Sequence, residues 1–293
     1  MPEGLEIDHE QPLNGTMAAY TQQLLICTGQ GDWASRIEDD GKGKAWGALS
    51  KGLRKLTGRR GRYADPYNNV LVTAASFPAP SSPSTASAFL FPSFKFLPSI
   101  PVETPSLGAP LHAQAKFVRA FVLPTKLHEM HSALPEEIRT ELTRSPELQS
   151  EFPGVVDIQQ SPTILICSHG GRDMRCGVMG PVLEAEFHRV LREKGYTSMQ
   201  TDGSTVDGPN HANVGLVSHI GGHKYAGNVI IYIPPGLTGP DGAVSPLAGK
   251  GIWYGRIEPK HVEGVVEETI LKGRVITDHF RGGIDRDGTI LRL

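Results

Sequence analysis

Short apolar runs alternate with polar loops most clearly in the second half of the chain. TILICS (163–168) is apolar and β-branched, which predicts a buried strand. VGLVSHI (214–220), GNVIIYIP (227–234) and GIWYGRI (251–257) have the same character and are bounded by glycine or proline. The pattern therefore predicts four strands in this half.

Two segments of the same half have helical periodicity. GPVLEAEFHRVLREKG (180–195) gathers its apolar residues on one face, and Pro181 fits the first helical position. PKHVEGVVEETILKG (259–273) begins with Pro259 and ends with glycine. The predicted order β–loop–α–β–β–β–α is that of a thioredoxin-like α/β domain. The terminal TDHFRGGIDRDGTILRL is predicted to be a polar tail with turns.

The first half repeats two landmarks of the second half in the same order. TQQLLICTGQGDW (21–33) and SPTILICSHGGRDMRC (161–176) both run from an apolar strand through a cysteine into a glycine-containing loop. NNVLVTAASFPAP (68–80) resembles AGNVIIYIPPG (226–236) as a strand that ends at proline. The period of about 140–160 residues is the size of a domain, so we predict two tandem thioredoxin-like domains.

Composition places the boundaries of these domains. Residues 17–133 are the predicted N-terminal, degenerate domain, in which the Pro- and Ser-rich segment 78–110 is interpreted as an insertion with an extended, partly buried centre. LPEEIRTELTRSPELQS (134–150) is predicted to be a helical connector, because proline precedes glutamates at its start. Residues 151–293 are the predicted C-terminal domain.

Composition also excludes several classes of protein. The 293-residue chain has a formal net charge of -2 and no long run of one charge, so nucleic acid is not an expected partner. No stretch of about 20 uninterrupted apolar residues occurs, so no membrane span is expected. Three cysteines are too few for a disulfide scaffold, and in a reducing compartment such cysteines more often bind metal or carry out redox chemistry.

Candidate chemistry is concentrated in two loops of the second half. ICSHGGRDMRC contains Cys167 and Cys176, and SHIGGHKYAGN contains His219 and His223. The glycines between the histidines disfavour a helix, so a loop is expected to present both imidazoles. Two thiols and two imidazoles are therefore available in one predicted domain.

Several metal or redox sites use such side chains. A structural zinc site takes these ligand types, although the eight residues between the cysteines are a wide spacing. A zinc protease is excluded because HIGGH has no glutamate, and the C-x-x-C motif of a thiol oxidoreductase is absent. A [2Fe-2S] cluster with two thiolates and two imidazoles needs only what is present. His169, in CSH, competes as a ligand and ranks below His219 and His223.

The chain resembles a known family in these stretches. ICSHGGRDMRCGVMGPVLEAEF, LVSHIGGHKYAGNVIIY and GIWYGRIEP resemble the thioredoxin-like [2Fe-2S] ferredoxins of the sucrase/ferredoxin-like family, densely over 161–273 and weakly over 17–130. The resemblance points to a fungal branch with altered-inheritance-of-mitochondria and actin-patch-distribution proteins, in which H-x3-H replaces the second cysteine pair. It implies two thioredoxin-like domains, of which the C-terminal one is ferredoxin-like.

The resemblance also implies a ligand set. Carried over residue by residue, Cys167 and Cys176 hold one iron of the cluster, and His219 and His223 hold the other. Cys27 stands in the first half where Cys167 stands in the second. Because no second cysteine follows Cys27, we expect no cluster in the first half.

The expected role is one-electron transfer or redox sensing with an unidentified redox partner protein. Imidazole ligands carry a proton, so reduction is expected to couple to protonation. Glycines 170, 171, 221, 222 and 227 are expected to let backbone approach the cluster, and Arg172 and Arg175 to offset its charge. The sequence contains no recognisable nucleophile–base pair that would indicate an enzyme. The alternatives are a structural zinc-binding interaction module and a thiol oxidoreductase that uses Cys27.

Location is predicted from the two ends of the chain. The acidic start MPEGLEIDHE has the features of neither a secretory signal nor a transit peptide. The end TILRL lacks the terminal aromatic residue of some cytosolic relatives. The end of the chain favours the mitochondrial matrix, which is the predicted location, whereas the acidic start favours the alternative, the cytoplasm.

Overall fold

A computed structural model describes residues 4–103, 112–198 and 205–293. The helices of these residues are α1 (Ala45–Thr57), α2 (His112–Phe117), α3 (Glu136–Leu142), α4 (Met174–Glu193) and α5 (Pro259–Val265). Helices α2 and α5 each continue into a π-helical turn, Val118–Val122 and Val266–Leu271. Within the described ranges, no helix has the length and apolar content needed to cross a membrane.

The strands form one mixed sheet. They are β1 (Gln22–Cys27), β2 (Val70–Ala75), β3 (Thr85–Phe91), β4 (Lys95–Pro101), β5 (Val156–Asp157), β6 (Thr163–Cys167), β7 (Thr197–Ser198), β8 (His211–Val217), β9 (Val229–Tyr232), β10 (Gly251–Tyr254), β11 (Phe280–Ile284) and β12 (Ile290–Leu291). Their order is β12-β11-β10-β9-β6-β8-β2-β1-β3-β4-β5, and β7 pairs with β8. Every residue of β1, β6, β8, β9, β10 and β11 is buried, which explains the apolar runs of β6, β9 and β10.

The two halves of the sheet have the same connectivity. Strand β1 lies between parallel β2 and antiparallel β3, and β3 pairs with β4. Strand β6 lies between parallel β8 and antiparallel β9, and β9 pairs with β10. Helices α1 and α4 connect the parallel pairs, α2 follows β4, and α5 follows β10. The chain therefore contains the same arrangement of elements twice.

The halves meet where β2 pairs with β8. Ala75 lies opposite Val217, and a serine follows each of them, Ser76 and Ser218. The backbone N–H of each serine donates to the opposite strand, at 3.0 and 2.9 Å. Each serine hydroxyl accepts a backbone N–H of the opposite strand, both at 2.9 Å. The reciprocal contacts join the two half-sheets into one.

The register changes one assignment made from the sequence. Strand β2, within 68–80, is parallel to β1 as β8 is to β6, whereas β9, within 226–236, is antiparallel to β6. The counterpart of 68–80 is therefore β8, and the match to 226–236 is wrong. Both β3 and β4 lie in the segment 78–110 and occupy the positions of β9 and β10. This segment supplies two strands of the sheet rather than an addition to it.

Two further expectations need correction. Helix α4 begins at Met174, six residues before the predicted start, and Pro181 lies inside it. The Asp173 side chain caps this helix by accepting the backbone N–H of Arg175 at 3.0 Å. The predicted polar tail contains β11 and β12, which extend the sheet beyond β10. Its glycines pack closely against neighbouring strands and hid the strand pattern.

The other predicted elements are present with shifted ends. The four strands predicted in the second half are β6, β8, β9 and β10, and α5 begins at Pro259 as expected. The predicted connector 134–150 contains α3 and a 3-10 segment, Pro146–Glu151.

Candidate metal centre

The two cysteines of the second half meet at the end of β6. Cys167 is the last residue of β6, and Cys176 lies in the first turn of α4. Both are buried free thiols, and they are hydrogen-bonded to each other. Helix α4 approaches the loop closely because it presents glycines: a Cβ on Gly180 would lie 2.3 Å from the Cβ of Ser168. This packing brings together two cysteines that are nine positions apart.

The surroundings of the two thiols favour one thiolate. The contact with Cys176 lowers the pKa of Cys167, and the backbone N–H groups of Ile220 and His169 lower it further. The same thiol–thiol contact, together with burial, raises the pKa of Cys176. Cys167 is therefore the sulfur that loses its proton first. Loss of both protons requires a positive charge such as a metal ion.

The two histidines lie on the loop that follows β8. This loop turns at Gly221 and Gly222, whose φ angles are 86° and 73°. The ring centroids of His219 and His223 are 5.7 Å apart. The backbone N–H of Ile220, directly after His219, is close enough to Cys167 to lower the pKa of its thiol. The histidine pair is thereby joined to the cysteine pair, although the two loops are about 50 residues apart in the chain.

Both imidazoles are suited to bind a metal. Burial lowers the pKa of the half-buried His219 to about 4, and the nearby Arg172 acts in the same direction. A neutral imidazole can bind metal without losing a proton first. Among the described residues, Nδ1 of His223 is buried without a hydrogen-bond partner, whereas Nε2 of the same ring lies 3.7 Å from Asp173. A buried nitrogen without a hydrogen-bond partner fits a metal ligand.

The four side chains form two pairs rather than one convergent set. Across 4–103, 112–198 and 205–293, no three His, Cys, Asp or Glu side chains are close enough to hold one metal ion. A structural zinc site needs four ligands around one ion. A binuclear cluster takes two protein ligands on each iron. In the described ranges, the four side chains therefore do not form a single four-ligand site.

His169 has a different role from that of a ligand. Its Nε2 donates to the carbonyls of Ala34 at 2.9 Å and Trp33 at 3.1 Å, and its Nδ1 accepts the backbone N–H of His219 at 2.9 Å. Carbonyls only accept, so the ring is neutral with its proton on Nε2. Because both ring nitrogens make hydrogen bonds, His169 connects a first-half loop to the backbone of His219.

Most of the glycines expected to approach a cluster pack against protein instead. A Cβ on Gly170 would lie 2.8 Å from the Asp32 carboxylate, and one on Gly171 would lie 2.3 Å from the Trp33 carbonyl. A Cβ on Gly227 would lie 2.2 Å from the carbonyl of Ile257. Gly222 has a left-handed φ of 73°, and a Cβ there would meet the side chain of Arg281. Only Gly221 has open space around the position of a Cβ.

The arginines near the thiols also differ from expectation. Arg172 is exposed and contacts Ser35 at 3.5 Å. Arg175 pairs with Asp173 through two hydrogen bonds of 2.9 and 2.8 Å, so a carboxylate already balances its charge. The buried cation beside the thiols is Arg281 of β11, whose charge acts on Cys167. No local signal could have found it, because FRGGI reads as part of a polar tail.

Cys27 occupies an inert site. It is fully buried, and burial raises the pKa of its thiol to about 12. A reactive thiol needs a thiolate and access to solvent. The structure therefore disfavours the thiol oxidoreductase alternative.

The chain is similar to known proteins over most of its length. The sequence profile of the sucrase/ferredoxin-like family matches residues 13–282. Altered inheritance of mitochondria protein 32 of Meyerozyma guilliermondii is 29% identical over 292 residues, which cover 97% of this chain and 88% of that protein. The protein of that name in Clavispora lusitaniae is 40% identical over 140 residues, 47% of this chain and 38% of that protein. Actin patches distal protein 1 of Saccharomyces cerevisiae is 32% identical over 138 residues, 47% of this chain and 38% of that protein.

Proposed function

The chain belongs to the sucrase/ferredoxin-like family, and from this we propose that it is a [2Fe-2S] protein for one-electron transfer or redox sensing. In this proposal Cys167 and Cys176 hold one iron, and His219 and His223 hold the other. The observation that carries the proposal is that the loop between the two histidines meets the cysteine pair at Ile220, whose backbone N–H lowers the pKa of Cys167, while Nδ1 of His223 is buried without a hydrogen-bond partner among the described residues.

A bound cluster would supply one-electron chemistry, at a potential of roughly -150 to +300 mV for two-thiolate, two-imidazole ligation. The residues around it would control the proton that accompanies the electron. Nδ1 of His223 is the buried nitrogen, and Nε2 faces Asp173 at 3.7 Å. The Arg175 contact lowers the pKa of Asp173 to about 2, so this carboxylate is negative at neutral pH. It therefore places a negative charge opposite the outer nitrogen of His223.

We further propose that the two halves are tandem thioredoxin-like domains, with boundaries near 17–133 and 151–293. The repeated element order and the reciprocal β2–β8 junction support this. The cluster would belong to the C-terminal, ferredoxin-like domain. The first half keeps Cys27 and lacks a second cysteine before α1.

The proposed location is the mitochondrial matrix, with the cytoplasm as the alternative. Two relatives carry the name altered inheritance of mitochondria protein, which suggests a mitochondrial link. The proposed partner is a redox protein that donates or accepts single electrons. Imaging of a tagged full-length chain against matrix and cytosolic markers tests the location.

The first test is spectroscopy of protein purified without oxygen. Absorbance and EPR spectra before and after dithionite, with iron, sulfide and zinc analyses, are expected to show a reducible cluster with about two irons per chain. His219→Cys and His223→Cys are expected to keep a cluster with an altered spectrum and a lower potential. A colourless protein with one zinc and no sulfide after anaerobic reconstitution would instead establish the structural zinc alternative.

The second test concerns the proton. The midpoint potential measured from pH 6 to 10 is expected to fall by up to about 59 mV per pH unit where one proton accompanies one electron. A potential that does not change over this range would end the proton-coupled version and leave simple electron transfer.

A further inference from the structure

Arg281 is a buried cation at the centre of the molecule. Its side chain is 1% exposed, and it lies on β11 at the back of the loop that carries the two histidines. Burial lowers the pKa of the guanidinium to about 10, so it remains positive at neutral pH. In the part of the chain that the structure describes, its polar contacts are with carbonyl, amide and hydroxyl oxygens, and no carboxylate pairs with it.

Four hydrogen bonds fix this guanidinium against the ligand loop and the N-terminal segment. It donates to the Gly221 carbonyl at 3.2 Å and to the Asn228 side chain at 2.6 Å. It also donates to the Thr16 carbonyl and hydroxyl at 2.8 and 3.0 Å. Asn228 in turn donates to the Gly222 carbonyl at 2.9 Å. Hydrogen bonds from Arg281 and Asn228 therefore fix the backbone between the two histidines.

The position of Gly222 follows from the same contact. A Cβ at Gly222 would lie 2.4 Å from the guanidinium nitrogen of Arg281, and its φ of 73° is left-handed. Because only glycine accepts both conditions, the loop can pass directly over the buried charge. The aromatic faces of Tyr225 and Trp253 lie 5.5 and 5.8 Å from the guanidinium and complete its apolar surroundings.

A buried charge without an opposite charge is unfavourable, and its nearby anions are the thiolates. The negative charges of Cys167 and Cys176 both act to keep Arg281 protonated. With two thiolates, two sulfides and two neutral imidazoles, an oxidised [2Fe-2S] centre is neutral. Reduction adds one negative charge. A fixed positive charge nearby therefore favours the reduced state.

We propose that Arg281 is the fixed countercharge of this centre: it positions the loop between the two histidines and raises the reduction potential by stabilising the reduced state. This inference rests on the proposed function. It assigns to one buried residue of the C-terminal strands the role that sequence reasoning gave to Arg172 and Arg175.

The test compares Arg281→Met, which removes the charge and keeps an apolar stem, with Arg281→Lys, which keeps a charge and loses most of the hydrogen bonds. The exposed Arg172→Met is the matched control. Midpoint potentials are measured by dithionite titration at low and high salt. Arg281→Met is expected to lower the midpoint potential by at least about 59 mV, which is a tenfold change in the equilibrium constant for one-electron reduction. Arg172→Met is expected to change that equilibrium constant less than threefold, and less still at high salt.

The loop-holding role has a separate measurement. Both Arg281 variants are expected to release iron to a chelator several-fold faster than the unchanged protein, because both lose the bond to the Gly221 carbonyl. Arg172→Met is expected to release iron at the unchanged rate. Equal release rates in all variants would overturn the positioning role.

The lysine variant keeps the inference testable where the methionine variant does not fold. A buried lysine loses its proton at lower pH than an arginine does. The gap in potential between Arg281→Lys and the unchanged protein is therefore expected to widen from pH 7 to 10. A constant gap, or a folded Arg281→Met with an unchanged potential, would overturn the charge role while the cluster stands. Absence of a cluster in the unchanged protein would instead overturn the proposed function.

Discussion

Two buried cysteines occupy equivalent places in the two halves and have different chemistry. Cys27 ends β1 opposite Ala75, and Cys167 ends β6 opposite Val217, both in parallel pairs. The N–H of the next residue donates to that partner in each case, at 2.9 and 3.1 Å. Burial raises the pKa of Cys27 to about 12, whereas the pKa of Cys167 is lowered. The position at the end of a central strand therefore does not by itself lower the pKa of a cysteine.

The difference arises in the loops around that position. The reciprocal junction places Phe77 after Ser76 where His219 follows Ser218. The first-half loop from 28 to 44 has no cysteine, whereas the shorter second-half loop leads directly into the helix that carries Cys176. A second thiol, two backbone N–H groups and a buried cation are what distinguish Cys167.

The first half retains a structural part in the candidate centre. In the first-half loop, the Asp32 carboxylate accepts the N–H of Gly171 at 3.2 Å, and two backbone carbonyls accept the Nε2–H of His169. The first-half loop thus closes over the loop that leads from Cys167 to Cys176. This gives a physical reason to retain the first half in one chain with the second.

Serine substitutions of the two cysteines should show the largest difference between the two halves. Cys167→Ser is expected to lose nearly all bound iron and visible absorbance, because serine is a poor ligand for this centre. Cys27→Ser is expected to keep both and to lose about 1–3 kcal/mol of folding free energy from the buried hydroxyl. Iron analysis and denaturant unfolding check the pair. Equal cluster loss in both variants would show that the two cysteines act together.

The turn between the histidines should be next in sensitivity. Gly222→Ala is expected to lose about 3 kcal/mol of folding free energy, because left-handed strain adds to a clash with Arg281. The neighbouring Gly221→Ala has the same strain and open space, so a loss of about 1 kcal/mol is expected. Chemical denaturation of the two variants gives both values. Equal losses would mean that Arg281 does not restrict the loop.

His169 tests the contact between the halves. His169→Phe keeps a ring and removes three hydrogen bonds, so a loss of about 2 kcal/mol is expected, chiefly from the unpaired N–H of His219. His188→Phe, which loses one hydrogen bond to Ser198, is the control and should cost less. Faster iron release is expected from His169→Phe alone. A cluster as stable as the original in this variant would contradict the bridging role.

The starts of the two crossover helices differ and give the smallest effect. Asp173 caps α4, whereas Lys44 precedes α1 without a side-chain cap. Asp173→Asn keeps a capping oxygen and loses the charge, so a loss of about 0.5–1 kcal/mol at pH 7 is expected.

The pH dependence of this effect has a definite sign. The folded pKa of Asp173 is lowered from 3.8 to about 2, chiefly by its hydrogen bond with Arg175. Its extra stability is therefore present above about pH 4 and disappears as the pH falls toward 2. Unfolding curves of Asp173→Asn and the unchanged protein should merge there. Lys44→Asp should stabilise α1 by about 0.5–1 kcal/mol at pH 7.

Local patterns were sufficient for much of this molecule. Apolar runs located the buried strands of the second half, and proline located the start of α5, because these signals depend on neighbouring residues. The pairing of cysteine and histidine loops came from spacing and family resemblance. The structure brings Cys167, Cys176, His219 and His223 into one region, and the cluster they are proposed to hold awaits the spectroscopic test.

Contacts between distant segments decided the rest. The true start of α4 depends on glycines that pack against a loop, and the strand character of 280–284 depends on pairing with β10. His169 is occupied by carbonyls about 135 positions earlier, and Arg281 reaches a carbonyl 60 positions earlier. No local pattern encodes such partners, because sheet pairing selects them only after the two halves join. The charge and hydrogen bonds around the candidate centre are therefore properties of the assembled sheet.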